Sequence, residues 1–253
     1  MNRLNGKVAI ITGANSGIGK RTAERFAEEG ADLVLVARRM EKLKTVQQYC
    51  EGLGRKAISV SADVSRPEDC QRVCHTAFDT YGKIDILVNN AGIADKHRPI
   101  TRCDADWWDH IIQVDQNSVF YMMQEALKYM VPAKCGSIVN ISSIGGTSYN
   151  SGIAYTAAKT AVIGMSKNVA IQFAGQGIRV NVVAPGPTPT SLNTPDQVAT
   201  FDLEFAGQCA RHFDDTVPEA TADDQAKAIL FFASDDSSGC NGQVVVVDNG
   251  RTI

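Results

Sequence analysis

The sequence has no apolar run long enough to cross a bilayer, no block of basic residues and no CxxC pair. Its apolar runs are short, Val244 to Val247 among them, against the roughly 20 residues that a membrane-spanning helix needs. Basic and acidic residues nearly balance, 25 against 28, for a net charge of −3. That excludes the basic footprint expected of a nucleic-acid or anionic-membrane binder. Seven cysteines is an odd number, and no second Cys or His pair gives zinc spacing to Cys70 and Cys74. Free thiols in a reducing cytoplasm are expected instead. Met1 to Lys7 runs straight into a predicted strand without a signal-peptide pattern, which also points to the cytoplasm. What is present is an ordinary globular balance over 253 residues, 44% hydrophobic and 21% charged, enough chain to bury a core without staples.

Short apolar, β-branched segments alternate with segments of helical period from end to end. Strands are predicted at Val8–Thr12, Leu33–Ala37, Ala57–Val60, Ile84–Asn89, Ser137–Ser142, Arg179–Val183 and Gln243–Val247. Helices are predicted at Gly17–Glu29, Glu41–Glu51, Pro67–Tyr81, Asp104 to about Met130, Ile153–Gly175 and Asp223–Ala233. Continuously apolar strands are buried on both faces, which means a parallel sheet covered by helices. The expectation is one α/β domain over 1–253, a Rossmann-type doubly wound sheet of about seven parallel strands with helices on both faces. The irregular, proline-rich stretch at about 187–218 follows a strand end, where open α/β sheets bind ligands, and is expected to cover the substrate.

Thr12-Gly13-Ala14-Asn15-Ser16-Gly17-Ile18-Gly19 joins the first strand to the first helix. Glycines let a backbone approach a pyrophosphate, and a helix N-terminus offers free N–H groups and partial positive charge. A lone glycine-rich turn has a steric explanation. Its place at the start of a βαβ unit favours nucleotide binding. The second strand ends at Ala37, where NAD-preferring folds usually carry a carboxylate for the ribose 2′-hydroxyl, and Arg38 and Arg39 follow. A guanidinium forks onto a 2′-phosphate. The plain alternative is that both arginines belong to a solvated helix start. The missing acid and the present base favour NADP(H) over NAD(H).

Tyr155 and Lys159 are four apart in a predicted helix and share a face. A free phenol titrates near ~10 and is a poor base at neutral pH, whereas a nearby ammonium is expected to lower it. Such a pair can give or take a proton beside a carbonyl oxygen. Alone, it would be a solvated helix face.

The GxxxGxG spacing, with Asp63-Val64, Asn89-Asn90-Ala91-Gly92, Tyr155-x-x-x-Lys159 and Pro185-Gly186, resembles the short-chain dehydrogenase/reductase family over essentially the whole chain. The resemblance implies a nicotinamide cofactor and oxidoreduction of alcohols or carbonyls, with Tyr155 as acid/base and Lys159 beside it. It places Gly13, Asn15, Ser16, Gly17, Ile18 and Gly19 against the pyrophosphate. It makes Asp63 and Val64 the adenine contact, and Asn90, Ala91 and Gly92 the adenosine and ribose wall. Pro185, Gly186, Thr188 and Thr190 form the nicotinamide turn.

The resemblance also calls for a serine before Tyr155. The family's common interval of thirteen selects Ser142, whereas in its Ser-Ser pattern the second hydroxyl faces substrate, which selects Ser143; Ser143 is preferred. Where the family carries an asparagine that anchors a water to the lysine, this chain has Asp115 in Val114-Asp115-Gln116-Asn117. Asn117 lies two residues on, about 200° around a helix and so on the opposite face.

The resulting expectation is an NADP(H)-dependent alcohol dehydrogenase or ketoreductase on a small carbonyl substrate, hydroxysteroid-like or otherwise. The alternatives are a 3-oxoacyl-carrier-protein reductase and a non-catalytic NADP(H)-binding regulatory protein. By resemblance, the chain would assemble as a homotetramer or homodimer. No metal, nucleic acid or membrane is expected.

Overall fold

The computed structural model describes residues 2–190 and 194–252. Strands β1 (Val8–Thr12), β2 (Asp32–Ala37), β3 (Ala57–Ser61) and β4 (Ile86–Asn89) alternate with helices α1 (Gly17–Glu28), α2 (Met40–Gly52) and α3 (Pro67–Tyr81). Then come α4 (Ala105–Ile111), a π-helical turn (Ile112–Asn117), α5 (Ser118–Ala133), β5 (Gly136–Ile141), α6 (Ile144–Thr147), α7 (Ile153–Gln172) and β6 (Ile178–Pro185). Helices α8 (Pro195–Val198), α9 (Leu203–Ala210) and α10 (Ala222–Ala233) precede β7 (Val244–Val247).

All seven strands are parallel, in the order β3-β2-β1-β4-β5-β6-β7. Successive residues alternate between two cores. Ala9, Ile11, Leu33 and Leu35 pack with α1, α2 and α10, while Ile10, Val34 and Val36 pack with α3, α5 and α7. This is the strand period of two, with both faces apolar because both are covered. On the first face, Asp223 of α10 takes Arg25 with both carboxylate oxygens, at 2.6 and 2.5 Å, and fixes α10 to α1. The chain winds outward in both directions from β1 and β4, so the crevice above their ends is the switch point where such sheets bind ligands.

Three sequence expectations change. The stretch from Asp104 to Met130 is two helices joined by the π-turn, because one inserted residue leaves the apolar period nearly intact. The outer strands are not buried on both faces. Val245 and Val246 of β7 are 39% and 41% exposed, because β7 has a neighbour on one side only. The 187–218 stretch contains α8 and α9 and is partly ordered by hydrogen bonds, including Asp202 N–H to the Lys96 carbonyl at 2.9 Å. Residues 191–193 of that stretch lie outside the described residues. Among the described residues, no helix is long and apolar enough to cross a membrane.

Candidate active site

The end of β1 is tied to the end of β4 by one hydroxyl. Thr12 Oγ1 donates to the Val88 carbonyl at 3.3 Å and accepts the N–H groups of Asn90 and Ala91 at 3.0 Å each. Asn90 turns its amide inward, donating to the Thr12 carbonyl at 3.0 Å and the Gly13 carbonyl at 3.4 Å. The turn into α1 therefore lies flat against the β4 end. A Cβ on Gly19 would stand 2.3 Å from the Gly13 carbonyl oxygen, so no larger residue fits there. No acidic residue occupies the first turn of α1, whereas α3 and α10 each carry two. The positive end of α1 is thus open to an external anion.

A cavity of about 820 Å³ opens over this turn. Gly13, Asn15, Ser16, Gly17 and Ile18 line its floor, with Thr190 across from Gly17. Its outer end is formed by Ala37, Arg38, Arg39, Asp63 and Val64. Asn90, Ala91 and Gly92 lead to an inner end at Ile93 and Lys96. Lys42 joins the two arginines, one helical turn on, which the sequence reading had missed. Burial works to raise the Asp63 carboxyl, but hydrogen bonds from Ser65 and the charges of Arg38 and Arg66 outweigh it and hold the group below its ordinary range. The volume and the glycine floor at a helix N-terminus suit a dinucleotide, and the three basic groups add positive charge at one end.

Beyond Gly92 the structure brings together Ser143, Tyr155, Lys159 and Asp115. Two buried connections place α7. Asn140 of β5 accepts from Asn89 of β4 and donates to Ser166 of α7, both at 2.8 Å. Ser142 Oγ donates to the Lys159 carbonyl at 2.8 Å. That bond turns Ser142 into the helix contact, while the Ser143 hydroxyl lies near enough to the Tyr155 phenol to favour its ionised form. Ser143 Oγ also accepts the Gly145 N–H at 3.0 Å, which fixes its rotamer at the start of α6. Lys159 is 4% exposed, with Nζ 3.4 Å from the Ile141 carbonyl and 5.4 Å from the Tyr155 ring centroid.

The electrostatics differ from expectation at Tyr155. Burial pushes its phenol above the ordinary tyrosine range, and the Asp115 charge pushes the same way; the Ser143 hydroxyl opposes both. The lowering expected from Lys159 is overridden chiefly by burial of the phenol, with the Asp115 carboxylate adding to it. Asp115 is fully buried at the π-turn, and its Oδ1 accepts the Ile93 N–H at 2.8 Å. Burial raises its carboxyl, and Lys159 and the Ile93 N–H oppose that rise. Asn117 is turned away and donates to Gln113 at 2.8 Å.

Pro185, Gly186 and Thr188 do not border the cavity among its described lining residues. They close β6 against β7. Gly186 N–H donates to the Val247 carbonyl at 3.0 Å, and a Cβ on Gly186 would stand 2.4 Å from that of Asp248. Asp95, also missed in the sequence, accepts the Gly152 N–H at 2.5 Å just before α7. Its partner is 57 residues away, beyond the reach of a local pattern. Among the described residues, no group of three or more Cys, His, Asp or Glu side chains is placed to hold a metal.

Comparison with known proteins agrees with this architecture. Residues 13–252 match the family model described as Enoyl-(Acyl carrier protein) reductase. The chain is 39% identical to 3-oxoacyl-(acyl-carrier-protein) reductase FabG of Thermotoga maritima, over 99% of this chain and 100% of that one. It is 36% identical to 3beta-hydroxysteroid dehydrogenase 2 of Eggerthella lenta, over 98% and 95%. The crystal structure of levodione reductase superposes with a TM-score of 0.89 at 31% identity, covering 98% of each chain. The chain belongs to the short-chain dehydrogenase/reductase family, nicotinamide-dependent oxidoreductases of hydroxyl and carbonyl compounds.

Proposed function

We propose that this protein is an NADP(H)-dependent dehydrogenase/reductase that interconverts a secondary alcohol and a ketone. The observation that carries the proposal is the grouping of Ser143, Tyr155 and Lys159 next to Gly92, which itself lines the dinucleotide-sized cavity. When bound, the nicotinamide would supply or accept the hydride. Gly13, Asn15, Ser16, Gly17, Ile18 and Gly19 would hold the pyrophosphate, Asp63 and Val64 the adenine, and Arg38 and Arg39 the 2′-phosphate. Asn90, Ala91 and Gly92 would form the ribose wall, with Pro185, Gly186, Thr188 and Thr190 near the nicotinamide.

In the reduction direction, Tyr155 gives its phenolic proton to the carbonyl oxygen. Ser143 donates a hydrogen bond to the same oxygen as charge develops on it. A phenol held above its ordinary range remains protonated at neutral pH, which suits this direction. In oxidation the same groups act in reverse, and Lys159 favours the phenolate. Asp115 stands on the Lys159 side, where it holds or passes a proton.

The 39% identity to a 3-oxoacyl-carrier-protein reductase gives a second reading, a 3-oxoacyl thioester as the carbonyl substrate. NADPH oxidation measured on cyclic ketones and on acetoacetyl-coenzyme A separates the two. Ketones turned over with higher kcat/KM support the first reading, the thioester turned over faster supports the second, and NADPH binding without either would leave a non-catalytic binder.

A further inference from the structure

Resting on that reading, we propose that the inner end of the cavity is built for a substrate bearing a carboxylate, with the Lys96 ammonium as its seat. Lys96 Nζ lies 4.0 Å from the Trp107 ring centroid, which holds a flexible side chain over an aromatic face at the cavity wall. Trp107 in turn belongs to the small apolar cluster that contains Ile93 and Tyr155. The cation is therefore held beside the apolar cluster against which the reacting phenol also packs.

No acid accounts for it. Among the described residues lining the cavity, Asp63 is the only carboxylate, and it stands at the outer end with Arg38. Asp95, the neighbour of Lys96, is buried with Oδ2 turned to the Gly152 N–H, and among the described residues it makes no ion pair with Lys96. Arg98, whose guanidinium carbon is 5.8 Å from the same Trp107 ring centroid, is paired with Asp104.

The cofactor does not account for it either. A dinucleotide phosphate presents two anionic regions, and each has a partner elsewhere: the α1 N-terminus for the pyrophosphate, Arg38 and Arg39 for the 2′-phosphate. Lys96 lies past Gly92, on the far side of the ribose wall, and is a positive charge left over. Gln197 and Thr194 line the same cavity and add an amide and a hydroxyl. One compact ammonium with neutral donors beside an indole face suits a carboxylate on an alicyclic frame. A phosphate would call for a guanidinium fork or a helix N-terminus.

The test uses the NADP+-loaded protein, titrated calorimetrically with cyclohexanecarboxylate and with cyclohexanecarboxamide. Wild type is expected to bind the acid at least about tenfold more tightly than the amide. Lys96→Gln should abolish that preference, and Lys96→Arg should restore most of it. The kcat/KM ratio of 4-oxocyclohexanecarboxylate to 4-oxocyclohexanecarboxamide should collapse in parallel. Equal affinity of wild type for acid and amide, or an unchanged preference in Lys96→Gln, overturns the proposal. So does a loss of NADPH affinity in Lys96→Gln with the acid/amide ratio intact, which would assign Lys96 to the cofactor. An acid preference that depends on Lys96, with no ketone turned over, upholds the site and contradicts the proposed reaction instead.

Discussion

Asp115 and Lys159 face the same notch above Gly92: a Cβ there would stand 3.0 Å from Asp115 Oδ1 and 3.5 Å from Lys159 Nζ. The second Asp115 oxygen is buried without a protein hydrogen-bond partner among the described residues. A carboxylate thus occupies a position where a neutral amide would bring no charge, and it raises the titration of Tyr155 nearby.

Asp115→Asn should therefore move the pH–rate profile of alcohol oxidation to lower pH, because the phenolate forms more easily once the charge is gone. Stability gives a second sign. Burial raises the Asp115 carboxyl in the folded protein, so ionisation costs stability at pH above the unfolded value of about 3.9. Asp115→Asn should have a higher Tm than wild type at pH 8, with the gain shrinking as pH falls toward that value. An unchanged profile together with an unchanged Tm difference across pH would place Asp115 outside the electrostatics of the site.

The two adjacent serines should separate cleanly. Ser143→Ala removes the donor proposed for the substrate oxygen and should lower kcat by about 10²-fold, with a stability cost of only about 1 kcal/mol from the lost Gly145 cap. Ser142→Ala leaves the buried Lys159 carbonyl without its 2.8 Å donor and should cost about 1–3 kcal/mol of stability, read as a fall in Tm. The opposite pattern, with activity lost in Ser142→Ala and stability lost in Ser143→Ala, would exchange their roles.

Cofactor choice should be set where β2 ends. Arg38→Ala should weaken NADPH binding by roughly ten- to a hundredfold, the effect of losing a charge-assisted hydrogen bond of about 1.5–3 kcal/mol. Combining it with Ala37→Asp supplies a carboxylate for the 2′-hydroxyl of NADH and repels the phosphate of NADPH. Fluorescence titration at fixed salt should show the preference reversed in the double variant. Tighter binding of NADH than NADPH by wild type would refute the assignment.

Much of this was legible in the sequence because it is local. Val8–Thr12 reads as a buried strand from its own composition, and Pro67 with Glu68 and Asp69 marks the start of α3. The glycine turn and the Tyr155–Lys159 interval are short-range patterns, and the site they mark is assembled around them. The π-turn at Ile112–Asn117 was not legible, since one extra residue in a turn hardly disturbs an apolar period. The Ser142–Ser143 ambiguity could not be resolved by counting residues. What distinguishes the two in the structure is a bond from Ser142 to a carbonyl 17 residues away. Lys96 carried no signal until the fold laid it on Trp107, eleven positions further along the chain.

The central claim is that Tyr155 moves the proton. Tyr155→Phe keeps the ring and removes only the hydroxyl, so kcat and the Kd for NADPH should be measured together on the same preparation. The account predicts a loss in kcat of about 10²-fold or more with NADPH affinity nearly unchanged. Near wild-type kcat in that variant would contradict it.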